Sequence, residues 1–274
     1  MTSRTTRVAL ATIAGVLVLA GTGGCAATAT DFASAVTGSS AVAASSSGPT
    51  SSSSTLPSPP PAVEPAPSPA PSPAPEAGPP VDPLIAPARA ALPLLAVKGR
   101  APKTGYDRDL FGQAWSDDVS AEFGHNGCDT RNDILRRDLQ EITVKPGTRD
   151  CVVLTGVLYG PYTGKRIDFV RGQGTSMAVQ IDHVVALSDA WQKGAQQLST
   201  DQRRELANDP LNLMAVDGRT NQQKGAGDTA TWLPPNTDFR CSYVARQVLV
   251  KERYALWVTQ AEREAMERIL SSCG

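Results

Sequence analysis

The 274-residue chain carries 26 basic and 27 acidic side chains, a formal net charge of −1. That balance excludes the strongly basic footprint of a protein that coats nucleic acid, though not an enzyme that must release a polyanion. Composition changes so sharply along the chain that only its C-terminal part can hold a core.

Residues 1–32 open with Arg4 and Arg7, continue with the apolar run "VALATIAGVLVLAG" and end in small residues after "TGGC". A basic start, a short apolar stretch and small residues at a cleavage point describe an export leader, and the run is too short to span a bilayer. "TGGC" resembles a bacterial lipoprotein cleavage box, with Cys25 as the lipidated residue and a membrane as its partner. Thr22 replaces the aliphatic residue usual there, so a lipid anchor and plain secretion both stand. Residues 33–97 are nearly all Ser, Ala, Pro, Gly and Thr, with too little apolar side chain to offset the entropy of ordering. They are expected to form a disordered linker.

The remaining segment, 98–274, is the expected single domain. Removing Arg4, Arg7 and Arg89 from the basic residues, and Asp31, Glu64, Glu76 and Asp82 from the acids, leaves 23 of each. "CVVLTGVLYGPYTGKRIDFV" reads as two strands around a Gly/Pro turn. Next comes a strand ending in Asp182-His183, in "VQIDHVVALSDAW". "LSDAWQKGA" and "STDQRRELAND" follow as helices, with Ser199 and Gln202 as a cap for the second. "LNLMAV" is a short strand, and "DGRTNQQKGAGD" turns into a helix bearing Asn221 and Lys224. Two C-terminal helices, "FRCSYVARQVLVKERYALWVT" and "TQAEREAMERILSSC", form an antiparallel hairpin that brings Cys241 and Cys273 to one end. Thr259 and Glu262 mark the start of the second. Cys128 and Cys151 are then left to pair, as an exported setting allows.

Asp182-His183, Asn212 and "NQQKG", with "GCDTRNDILRRDL" and "TWLPP", resemble the secreted bacterial HNH endonucleases of the ββα-metal (His-Me finger) class. The likeness spans about residues 105–273. It implies an α+β fold: a ββα-metal core with additional helices and the C-terminal hairpin. It makes His183 the general base, Asp182 and Asn221 the metal ligands, and Asn212 the brace of the His-bearing loop. Here Asn221 stands where some members have His, and the span from His183 to Asn212 is longer than in compact members.

The residue types suit that chemistry. A hard divalent ion, Mg2+ first and Mn2+ or Ca2+ as alternatives, takes oxygen ligands and keeps waters for a phosphate. A neutral imidazole beside it can accept a proton from water near pH 7. The expected activity is an extracytoplasmic endonuclease with DNA as substrate, RNA as second candidate, and little sequence preference. Arg131, Arg219 and Lys224 are candidate phosphate contacts; an ion-pair role for Arg131 and plain exposure for the other two are the alternatives. The rival function is a non-catalytic, envelope-anchored binding protein of the same fold. A zinc peptidase has no His-Glu-x-x-His to support it.

Overall fold

The computed structural model describes residues 82–274. The leader, Cys25 and the linker as far as residue 81 lie outside the described residues. The end of the expected linker belongs instead to the folded body. Helix α1 (Ile85–Ala91) continues into a 3₁₀ turn at Leu92–Leu94, and Val97 bridges to Val258. The composition of this stretch hid a helical stripe: Ile85, Ala88, Leu92 and Leu95 recur on one side and are all buried. Pro87 sits in the first helical turn, where no intrahelical bond needs its missing N–H. Arg89 clamps the helix by donating to the Leu270 carbonyl, at 3.0 Å from Nε and 2.7 Å from Nη2.

Helix α2 (Thr130–Asp138) begins at Asp129, whose carboxylate accepts from the Asn132 N–H at 2.9 Å. It leads into an antiparallel sheet of β1 (Gln140–Val144), β2 (Val153–Tyr159) and β3 (Arg166–Val170), in that order. The Cys128–Cys151 disulfide joins the entries to α2 and β2. A second, two-stranded sheet pairs β4 (Val179–His183) with β5 (Leu213–Asp217), antiparallel, with His183 opposite Leu213. Between them lie α3 (Leu187–Gln192) and α4 (Thr200–Asn208), the latter opened by the Ser199/Gln202 capping box.

The β4–β5 pair is buried on both faces, which is why "LMAV", 213–216, reads as continuously apolar. Val179, Ile181, Leu213 and Ala215 pack with Ile134 and Leu135 of α2 and with Phe169 of the first sheet. Met214 and Val216 face a second core with α1 and the C-terminal helices. Helix α5 (Gly218–Lys224) starts at once after β5, capped by Asp217, which accepts from Thr220 N at 2.7 Å. A Cβ on Gly218 would collide with the Met177 carbonyl oxygen, so glycine lets α5 lie against the chain entering β4.

Helices α6 (Arg240–Arg253) and α7 (Gln260–Ser271) form the C-terminal hairpin, closed by the Cys241–Cys273 disulfide. The first helix is shorter than its sequence suggests. Ala255 adopts a left-handed φ of 50°, and the following residues run out to the bridge with Val97. Among the described residues no helix is long and apolar enough to cross a membrane.

Candidate active site

His183 and Asp182 end β4 on opposite faces, and both line a cleft of about 320 Å³. Arg108, Gln180 and Asn221 line it too. The imidazole is 6 % exposed and lies parallel to Trp115 at a centroid distance of 6.1 Å. Its Nε2 is 2.9 Å from the carbonyl oxygen of Ala207. A carbonyl can only accept, so Nε2 carries the hydrogen and the Nδ1 lone pair is left to accept a proton. Burial, then the charge of Arg108, lowers the imidazole pKa to about 3 against the favourable Ala207 contact. The ring is therefore neutral across the physiological range.

The inserted helix α4 thus has a purpose that its sequence did not disclose: it carries the carbonyl that fixes His183. Asn212 secures both sides of that contact. Its amide oxygen accepts from Val185 N at 2.8 Å, and its amide nitrogen donates to Leu206 O at 3.1 Å. One fully buried side chain therefore ties the segment after His183 to the end of α4.

On the other face of β4, Asp182 is held by two partners. The Lys224 ammonium bridges its carboxylate, at 3.0 Å from Oδ1 and 2.9 Å from Oδ2, and the Tyr162 hydroxyl donates to Oδ2 at 2.5 Å. Burial raises the carboxyl pKa, and Lys224 and then Tyr162 oppose that shift. Lys224 also donates to the His183 carbonyl at 2.8 Å, and its side chain is fully buried. Lys224, expected as a phosphate contact, thus has its ammonium engaged inside the protein. One turn earlier on α5, Asn221 donates to Gln180 Oε1 at 3.0 Å, leaving its own amide oxygen without a partner among the described residues. Residues one turn apart on α5 therefore meet residues two apart on β4.

The two other expected phosphate contacts are not brought to the cleft. Arg219 is exposed on α5, outside the cleft lining. Arg131 is half-buried in α2, with Nη1 enclosed and without a hydrogen-bond partner, and forms no ion pair among the described residues. Sequence reasoning missed Arg108 and Tyr162. Arg108 is exposed at the start of a 3₁₀ turn, Arg108–Phe111, anchored by buried Phe111, and has no ion-pair partner among the described residues. Its contact with the cleft is 75 residues distant in sequence, so no local pattern marks it. Tyr162 lies in the turn between β2 and β3, where burial is uncommon. It packs edge-on against Trp232 at 5.1 Å and Tyr243 at 5.6 Å.

A family model, GmrSD restriction endonucleases, C-terminal domain, matches residues 129–269. The chain belongs to this family. A relative named only as an uncharacterized secreted protein, from the fungus Arthroderma benhamiae, is 36% identical over 188 residues, covering 68% of this chain and 84% of the relative. The likeness is thus not confined to the bacterial proteins suggested by the motifs. No solved structure matches. The region matched by the GmrSD C-terminal-domain model includes Asp182, His183, Asn212, Asn221 and Lys224, whereas Arg108 lies before it.

Proposed function

We propose that this protein is an exported endonuclease that hydrolyses phosphodiester bonds of DNA, with RNA as second substrate, and that β4, β5 and α5 form an HNH-type ββα-metal core. The observation that carries the reading is the pinned imidazole: His183, held through Nε2 with Nδ1 unprotonated, lines one cleft with Asp182, Asn221 and Arg108. The family membership and the secreted relative support the same reading.

His183 would take the proton from the attacking water at Nδ1 as general base, its low basicity raised by the negative charge of a phosphate bound in the cleft. Asn212 holds that ring in place through Val185 and Leu206. Arg108, exposed at the cleft wall, would bind the phosphate. The Asn221 amide oxygen and Asp182 are oxygen donors of the kind that fits a hard divalent ion. The match is to a weakly held ion, because Lys224 already neutralises Asp182. When bound, such an ion would stabilise negative charge on the phosphoryl and leaving oxygens. The N-terminal leader supports export, and lipidation of Cys25 belongs to the same proposal.

The test is incubation of the purified protein with plasmid, linear DNA and RNA, with and without chelator, beside His183→Ala. Cleavage by the wild type, lowered about 10²–10⁴-fold in the variant, is expected. A folded wild type that binds DNA without cutting it would instead favour the non-catalytic binding protein.

A further inference from the structure

We propose that Lys224 is a built-in counter-cation that keeps the affinity of this cleft for a divalent ion low until a nucleic-acid phosphate arrives. The inference rests on the metal-assisted nuclease reading and adds an order of binding to it. Asp182 is the only carboxylate lining the cleft among the described residues, and no group of three His, Cys, Asp or Glu side chains converges there to add charge. Lys224 matches that one negative charge, bridging both oxygens from a fully buried position. Its further bond to the His183 carbonyl anchors the ammonium from the strand side. Arg108 then adds a positive charge at the cleft wall. Together, Asp182, Lys224 and Arg108 give the free site a net positive charge.

A site of that sign attracts a polyanion and disfavours a free divalent cation. The nucleic acid reverses the balance, since each phosphate brings a negative charge and oxygen ligands. Ion and nucleic acid must then strengthen one another's binding by the same factor, as linkage requires. A site built only from Asp182 and Asn221 would take the ion with or without substrate.

The experiment measures Mn2+ binding by calorimetry or electron paramagnetic resonance on full-length His183→Ala, with and without a short DNA duplex. The duplex should tighten Mn2+ binding at least tenfold. Adding Lys224→Met should tighten binding in the DNA-free protein at least tenfold and shrink the effect of the duplex. Because Lys224→Met leaves Asp182 with fewer partners, its fold is checked by circular dichroism. Arg108→Ala, at an exposed position, supplies a second arm and should shift DNA-free affinity the same way by a smaller factor. If the duplex leaves Mn2+ affinity unchanged, or both folded variants do, the proposal is wrong while the nuclease reading stands. If no Mn2+ binds under any condition and chelator does not slow wild-type cleavage, the metal-assisted reading falls as well.

Discussion

His183 is buried as a neutral ring, and that has a cost in acid. Its pKa falls from 6.5 in the unfolded chain to about 3 in the folded protein. Below about pH 6.5 the unfolded state therefore takes up a proton that the folded state refuses, and stability drops by roughly 1.4 kcal/mol per pH unit until about pH 3. Between pH 7 and 5 this group should remove about 2 kcal/mol, and His183→Gln should remove that part of the slope. Urea midpoints at the two pH values measure it; equal slopes for both proteins would refute the burial argument. Arg108 carries a different expectation. With no ion-pair partner among the described residues, it should act chiefly on substrate binding, so Arg108→Ala should raise KM about tenfold and reduce the salt dependence of binding, with the melting temperature unchanged. An equal loss in kcat with unchanged KM would place Arg108 in the transition state alone. The adjacency of Asp182 and His183 was legible from the chain. Their partners were not, because Tyr162, Ala207 and Lys224 reach them only when β4 is packed.

At the scale of elements, capping signals and apolar periodicity located most helices and strands. The β2–β3 hairpin, the Ser199 and Thr259 capping boxes and the C-terminal hairpin all follow from local patterns. α1 does not, because Pro and Ala dominate its surroundings and its partners lie in the C-terminal helices. Its contribution can be measured by truncation. A chain starting at residue 98 loses the buried side chains of Ile85, Leu92 and Leu95 and should be about 3–6 kcal/mol less stable than one starting at residue 82. Thermal melts of the two fragments decide the matter, and equal stability would return residues 82–97 to the linker. Limited proteolysis should likewise leave residues 82–97 protected with the folded body.

Across the whole molecule, a buried charge cluster joins elements that no single core connects. Lys193 reaches Asp189 at 2.9 Å, Asp228 at 2.7 Å and Glu262 at 2.6 Å. Lys251 contacts Asp189 and Glu262 at 3.4 and 3.1 Å, while Arg100 closes the network on Asp189 and Asp228. The cluster ties α3, α6, α7 and the segments bearing Arg100 and Asp228 together with three cations and three anions. Lys193→Met should cost about 3–5 kcal/mol, since it leaves buried carboxylates short of a partner. A loss below about 1 kcal/mol in the denaturant midpoint would show that the neighbours or water replace it. The sequence alone settled the features that depend on near neighbours: the two-strand turn, the capped helices, and the cysteine pairing that follows from an antiparallel hairpin. It also carries Asp182, His183, Asn212 and Asn221 in the order that the resemblance to HNH endonucleases rests on. Only the tertiary structure decided that Lys224 is Asp182's counter-cation, that α4 pins the imidazole and that Arg108 faces it. Those contacts join residues tens of positions apart, and burial, which sets their charge and reach, is a property of the packed chain.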